Sequence, residues 1–350
     1  MHLIRPKSQQ SQSVRFEVPI LPPTHRATEV GMAWNKTQFQ SGQSLARFIE
    51  RYGTEEACGD ALASARWPDG FTCSGCEGRR HRVFRRLGQR LYQCNECGRQ
   101  ISLCAGTVLA HTHVPLRKWF LAVYLLTQSK TNVSALELMR HLGVSYNAAW
   151  RIKHKLMQLM ADAESKRKLY DFVQIDDAYL GGERTGSRPG RGSENKVPIV
   201  VAVSTTKDGR PREAVITPVA SFSKRLIAVW ADCHLGTASE VFTDGLSAFD
   251  TLEERGHPRT LMVTEGRRAA CVAPGAIWVN TVLGNVKRAI DGRYHAFKFR
   301  KYADRYLCEA TWRFNRRFNL ASMAGELIRA LADRTMHWSE SHLRHQIRPC

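Results

Sequence analysis

Residues 171–182 read DFVQIDDAYLGG, and the fold turns on them. A short run rich in β-branched and aromatic side chains forms a buried strand, which Gly181 and Gly182 close. Two adjacent carboxylates, Asp176 and Asp177, stand in this strand. Carboxylates at the end of a buried strand cost free energy unless something uses them, and a divalent cation is the usual user. Neighbours on a strand point to opposite faces, so a regular strand turns only one of the pair toward a given ion. Taken alone, the stretch could also be a turn with acidic residues.

Downstream, residues 183–196 (ERTGSRPGRGSENK) form a loop too polar to be buried, in which Arg188 and Arg191 are placed to meet phosphates. VPIVVAVST (197–205) and EAVITPV (213–219) read as strands able to pair antiparallel with the first. SFSKRLIAVWADC (221–233) reads as a helix with Ser221 as candidate cap. EVFTDG (240–245) repeats the opening grammar, an apolar strand ending on an acid and a glycine, and puts a second carboxylate, Asp244, at a strand tip. LSAFDTLEERG (246–256) reads as a helix and LMVT (261–264) as a short strand. In WVNTVLGNVKRAIDGRYH (278–295), read as a helix, Asn280 and Lys287 share one face two turns apart. Tyr294 and His295 suit either substrate contact or packing. Residues 298–320 form a second basic, aromatic-laced helix, whose Arg305, Arg313, Arg316 and Arg317 either meet a polyanion or solvate the helix.

Upstream, Cys73 and Cys76 are followed after seventeen residues by Cys94 and Cys97. Paired CxxC knuckles at this spacing make a zinc ribbon, whose four thiolates hold one structural zinc in a closed tetrahedron. Arg79, Arg80, Arg82, Arg85, Arg86 and Arg90 crowd the hairpin between the pairs, a basic face suited to DNA or to solvent. Cys58 and Cys104 read as core residues. From Ser44, two short amphipathic helices precede the ribbon, with Thr54, Glu55 and Glu56 as the second start signal. After the ribbon, a helix from Leu116 leads to an apolar helix 135–142, a turn at Gly143-Val144-Ser145, and a helix from Tyr146 carrying Arg151, Lys153 and Lys155. Helix, glycine-containing turn and basic second helix make a helix-turn-helix, whose second helix can enter a major groove; ordinary helical hairpins share the pattern.

The 350-residue chain carries a net charge of +20, spread along its length, and a field of that sign attracts nucleic acid. Of ten cysteines, four have metal spacing and the rest are scattered, which fits a reducing compartment. With no long apolar span and no signal-peptide pattern, the expected location is cytoplasmic and nucleoid-associated, with no membrane partner.

Strand acid, antiparallel strands, helix, strand acid, then a helix with a polar ligand and a Lys is the order of an RNase H-like nuclease core. With the ribbon, the chain closely resembles bacterial insertion-sequence transposases of the DDE superfamily, in the branch where Asn often replaces the third acid. The resemblance is carried by NKTQFQSGQSL, ARWPDGF, the four cysteines, WFLAVYLLTQSK, LGVSYNAAWRIKHKLM, IDDAYLGG, FTDG, WVNTVLGNVKRAIDGRYH and RFNRR. It implies Asp176, Asp244, Asn280 and Lys287 as catalytic residues, the first three holding two Mg²⁺ ions, for which Mn²⁺ can substitute. About 35 residues separate Asp244 from Asn280, the superfamily's usual interval. The implied partners are double-stranded DNA, as transposon ends and target, and further copies of the chain on that DNA. DNA contacts are expected from Arg151, Lys153, Lys155, Arg188, Arg191, Lys287, Arg288 and Arg316.

The implied activity is Mg-dependent 3′-end cleavage and strand transfer. A DNA-binding regulator with a dead core and a structure-specific nuclease that cuts without joining share most of these features. The expected architecture is multidomain α+β: a disordered arm (1–33), dispensable before Met32; an N-terminal helical segment (34–70); the zinc ribbon (71–110); the helix-turn-helix (114–165); an RNase H-like catalytic domain with a mixed sheet (170–320); and a C-terminal tail (321–350).

Overall fold

The computed structural model describes residues 40, 42–86, 88–181, 196–262, 275–294, 299–333 and 343. The N-terminal arm, the loop bearing Arg188 and Arg191, and His295 lie outside these. Two short helices, α1 (Leu45–Tyr52) and α2 (Glu55–Arg66), open the fold, capped by the Ser44 hydroxyl and, as the sequence predicts, by the Thr54 hydroxyl. The ribbon follows as three antiparallel strands, β1 (His81–Arg86), β2 (Gln89–Cys94) and β3 (Gln100–Ser102).

Helix α3 (Leu116–Gln128) leads to the helix-turn-helix pair α4 (Ala135–Leu142) and α5 (Tyr146–Glu164). Gly143 ends α4 at φ 57°, a left-handed conformation natural to glycine, and the Ser145 hydroxyl starts α5 by accepting from Ala148 N.

Strands β4 (Phe172–Leu180), β5 (Val197–Thr205) and β6 (Pro211–Pro218) pair antiparallel as a meander. Helix α6 (Lys224–His234) then crosses to β7 (Glu240–Thr243), parallel to β4, and β8 (Arg259–Leu261) continues parallel beyond it. A 3₁₀ turn (Ser247–Asp250) and α7 (Thr251–Glu254) link the last two strands. The order β6-β5-β4-β7-β8, three antiparallel strands joined to two parallel ones, is the RNase H-like sheet. The cap of α6 is Ser223, whose hydroxyl accepts from Leu226 N, and not Ser221, because the helix begins at Lys224.

Three further helices follow among the described residues: α8 (Ile277–Arg293), α9 (Phe299–Asn315) and α10 (Leu320–Leu331). The sheet is covered on both faces. Val173, Ile175, Val200 and Ala202 pack with Ile227 and Trp230 of α6 and with Phe249. On the other face Ala178, Leu180, Val201 and Val203 pack with Val279, Val282 and Val286 of α8 and with Leu307 of α9. Alternation along β4 turns Asp176 away from the Val173–Ile175 layer and toward the second layer, beneath α8.

One expectation about domain layout changes. Residues 321–331 are not a tail: α10 buries Met323, Leu327 and Leu331. Residues of α1, α2, the ribbon, α3 to α5 and α10, with Trp312 of α9, share one apolar cluster.

Three expected DNA contacts are also reassigned. Lys153 is completely buried, donating to Glu309 Oε2 at 3.1 Å and to the Tyr294 hydroxyl at 2.9 Å. Lys155 donates to the Val108 carbonyl at 2.6 Å and lies over the Trp119 ring. Arg316 pairs with Glu164 and Glu326, each at 2.6 Å, and covers Trp312. Helix α5 is packed along most of its surface, so a basic residue there meets protein unless it lies near the exposed N-terminal turn. Arg151 stays exposed, as do Tyr146 and Asn147.

Removing Lys153 leaves Glu309 charged and buried, a defect that costs about 3–5 kcal/mol. Lys153→Ala is therefore expected to lower stability to urea by that order, and the paired replacement Lys153→Met with Glu309→Leu to recover most of it. A DNA contact would behave differently: stability would hold while DNA affinity and its salt dependence dropped.

Candidate active site

Two clusters of ligating side chains stand out among the described residues: Cys73, Cys76, Cys94 and Cys97, and Asp176, Asp177 and Asp244. In the first, Cys73 Sγ and Cys97 Sγ are 3.6 Å apart, as are Cys76 Sγ and Cys94 Sγ. A tetrahedron with bonds of about 2.3 Å to zinc has sulfur–sulfur edges of about 3.8 Å, so the four thiols fit that ion. Two backbone turns shape the knuckles, closed by Cys73 N to the Gly78 carbonyl and Cys94 N to the Arg99 carbonyl. The amide of Gly75 donates to Cys73 Sγ at 3.3 Å and, more than any other neighbour, draws that thiol down to about 7. Cys58, by contrast, is fully buried and pushed up to about 12 by that burial, the behaviour of a core residue.

The acidic cluster is built by strand register. β4 and β7 run parallel and are paired from Phe172 with Glu240 to Ile175 with Thr243. One further step along both strands brings Asp176 and Asp244 abreast, each just past the last paired residue. On its other side β4 stays paired, Asp176 with Val201 and Asp177 with Val200, which fixes its backbone. The Asp244 carboxylate accepts from Leu246 N at 3.1 Å. Its main chain is braced by Arg259, which donates to the Asp244 carbonyl, the Thr243 hydroxyl and the Asp250 carboxylate at 3.0, 2.7 and 2.6 Å.

Asp177 joins this cluster, with one carboxylate oxygen from each of the three acids lying within 4.8 Å of the others. Adjacent residues of a regular strand are expected to face opposite ways, yet here both reach the same cluster. β7 ends at Thr243, so the edge of β4 is open from Asp176 onward, and two short side chains from opposite faces can reach around it.

Three carboxylates this close repel one another. The Asp176 carboxyl is pushed up to about 6, first by burial, then by Asp244 and Asp177; the Lys287 charge pulls the other way. That last influence places Lys287 within electrostatic reach of Asp176, from the exposed side of α8. Asn280 sits in the first turns of the same helix, after the cap position Ala276, so it does not cap. Its Nδ2 donates to the Ala276 carbonyl at 3.0 Å, which turns its oxygen away from that turn of helix. Arg288 is exposed one residue beyond Lys287, beside Asn285. Tyr294 is a packed aromatic that accepts from Lys153.

Two residues that no sequence pattern signalled also shape the site. Arg259 braces Asp244 as described. Gln174, only 2 % exposed, reaches from β4 to the start of α8. Both act through contacts distant in sequence, which local spacing does not reveal.

Comparison with known proteins bears on these same segments. Residues 168–315 match the ISXO2-like transposase domain, and residues 53–100 match the transposase zinc-ribbon domain. An uncharacterized protein in transposable element ISH50 of Halobacterium salinarum is 32% identical over 223 residues, 59% of this chain and 72% of that protein. This chain belongs to the ISXO2-like transposase family. The transposase carries both matched domains in one chain, and the acidic cluster lies inside the first. Among solved structures, the Mos1 strand transfer complex covers 63% of this chain and 78% of its own at 12% identity, with a TM-score of 0.26. A pre-cleavage Mos1 transpososome covers 63% and 79% at 10% identity, with a TM-score of 0.22. Likeness this slight informs neither fold nor site. No helix among the described residues is long and apolar enough to cross a membrane.

Two outcomes follow from this geometry. Metal analysis of the purified full chain should find one zinc per chain, lost in a Cys76→Ser, Cys97→Ser double variant. Asp176 also makes the fold pH-dependent. A carboxyl raised in the folded state binds its proton more tightly there, so stability present at low pH is lost as pH rises through about 6. Asp176→Asn should therefore stabilise the protein in magnesium-free buffer at pH 7–8, by an amount on the order of 1–3 kcal/mol. The gain should fade below pH 4, as read by thermal melts across that range.

Proposed function

We propose that this transposase binds double-stranded DNA at the ends of its element and carries out divalent-cation-dependent 3′-end cleavage and strand transfer. The observation that supports this most directly is the gathering of Asp176, Asp177 and Asp244 where two parallel strands end. The donor set is all oxygen, with neither His nor Cys, which suits Mg²⁺ or Mn²⁺ and not a thiophilic ion. Asp176 and Asp244 would hold the cations, Asn280 would add a neutral amide oxygen, and Asp177 is near enough to contribute a third carboxylate. Bound there, the cations would supply Lewis acidity to the attacking and leaving oxygens of a phosphodiester.

The chain's own residues align the reactants. In the first step water attacks phosphorus at the element end; its proton goes to solvent and the bond to the 3′ oxygen breaks, leaving a 3′-OH on the element. That hydroxyl then attacks a target phosphodiester, and the displaced target oxygen leaves as a new 3′-OH. One phosphodiester replaces another in this second step, so no ATP is needed. Lys287, exposed on α8 beside the acids, would hold a phosphate oxygen and offset charge there.

DNA binding is assigned to surfaces that remain open. Tyr146, Asn147 and Arg151 lie at the exposed start of α5, the part of a recognition helix that meets base edges. Arg79, Arg80, Arg82 and Arg86 are exposed on the ribbon, and Arg288 beside the active site. Arg188 and Arg191 keep their assignment as phosphate contacts from sequence alone, and assembly of several copies on DNA is part of the same proposal.

Asp176→Asn and Asp244→Asn are each expected to retain terminal-repeat DNA binding within a few-fold while losing cleavage in Mg²⁺. Asn280→Ala should cut cleavage severely without lowering stability, since Ala is the better helix former. Wild-type nicking by either Asp variant would overturn the assignment. Wild-type protein that nicks but never joins would make the chain a nuclease, and one that binds without nicking would make it a regulator.

A further inference from the structure

We propose that Gln174 is a positioning residue: through its side chain it sets where α8 begins relative to β4, and so holds Asn280 opposite Asp176. The proposal rests on the metal site argued above. Helix α8 begins without a side-chain cap of its own, since Ala276 occupies the cap position and its first turn contains no acidic residue. A helix start exposes backbone N–H groups that must find acceptors elsewhere. Gln174 Oε1 accepts from two of them, Trp278 N at 2.9 Å and Val279 N at 3.2 Å. It performs the work of an N-cap from a different element, 104 and 105 residues away in sequence.

Both ends of this bridge abut the site. Gln174 precedes Asp176 by two residues, on the same face of β4. Its own backbone position is fixed from either side, opposite Val203 of β5 and Phe242 of β7. At the other end, Val279 is followed directly by Asn280. A route of one strand dipeptide, two hydrogen bonds and one helix residue therefore joins the first acid to the candidate amide ligand. The apolar packing of Val279, Val282 and Val286 against the sheet is non-directional and tolerates sliding along the helix axis; directed hydrogen bonds do not. The far end of α8 is held separately, by Lys153 to the Tyr294 hydroxyl and by Arg293 to Thr131 and Glu137. Loss of the Gln174 contact should thus shift the start of the helix while leaving it attached.

The test compares full-length wild type with Gln174→Met, which keeps volume but has no acceptor, Gln174→Asn, whose amide is one methylene too short, and Gln174→Glu, which keeps acceptor and reach. Three quantities are read: hydrogen exchange of the peptide spanning residues 276–282, Mn²⁺ affinity of the protein alone, and nicking of a terminal-repeat duplex. Met and Asn variants should lose exchange protection in that peptide, bind Mn²⁺ more weakly, and nick about tenfold to a hundredfold more slowly, with DNA affinity unaltered. Gln174→Glu should regain the protection and most of the nicking. If Met does not fold, Asn carries the comparison. Protection lost with Mn²⁺ affinity and nicking at wild-type levels would overturn the proposal, because the cap would then be structural only; so would protection retained in both variants. Wild type that binds Mn²⁺ through Asp176 but never nicks would overturn the proposed function instead, leaving Mn²⁺ affinity to judge Gln174.

Discussion

Mutual repulsion among three carboxylates is the constraint that the rest of the structure answers. Asp176, Asp177 and Asp244 would separate if their backbones were free; burial raises the Asp176 carboxyl first, and Asp244 and Asp177 raise it further. They stay together because β4 is paired with β5 through both of its acids, is covered on both faces by apolar layers, and is aligned up to Ile175 with a parallel partner whose last paired residue immediately precedes Asp244. Arg259 adds a second restraint, locking the β7 end through backbone and side-chain oxygens at once. Holding charges where they repel is what a cation site requires before the cation arrives.

Helix α8 is the second element of the site: it carries Lys287 within electrostatic reach of Asp176, and Asn280, proposed as a further ligand, two turns earlier. It is fastened at its start by Gln174 and at its end by the buried group Lys153, Glu309 and Tyr294. Lys153 lies on α5 and Glu309 on α9, and Asn315 at the end of α9 donates both to Glu164 of α5 and to the Ala214 carbonyl of β6, so the helix-turn-helix and the five-stranded sheet meet mainly through α9. Much of the chain's positive charge is spent inside the fold in this way. Arg305 donates to Gln158, Arg313 to Asn132, Arg316 to Glu164 and Arg317 to Arg212 O, stitching α9 to its neighbours. Net charge therefore overstates the surface offered to DNA.

What the sequence made legible follows from which signals are local. The CxxC pairs, the strands around Asp176 and Asp244, the turn at Gly143 and the cap at Thr54 each depend on neighbours within a few residues, and the structure has them where the sequence places them. Burial is not local. Lys153, Lys155 and Arg316 read as DNA contacts because a basic residue on a helix looks alike whether it faces solvent or a buried Glu309 or Glu164. Alternation lets a regular strand turn only one of Asp176 and Asp177 toward an ion and the resemblance selects Asp176, yet both acids lie within 4.8 Å of Asp244 through one carboxylate oxygen each, a closeness set by tertiary register. Residues 321–331 lacked a motif and read as tail, although their apolar spacing fills the N-terminal cluster. Gln174 carried no signal, since its partners lie over a hundred residues away. The resemblance supplied the choice of Asn280, which spacing alone could not.

The central claim is that the acids at the ends of β4 and β7 form a divalent-cation site separate from the cysteine cluster. Anomalous scattering from crystals soaked in Mn²⁺ tests it most directly, with data collected at the manganese and zinc edges. A manganese peak is expected between the carboxylates of Asp176 and Asp244, and a zinc peak among Cys73, Cys76, Cys94 and Cys97. Saturating Mn²⁺ with no peak at Asp176 and Asp244, while other positions in the crystal fill, would contradict it.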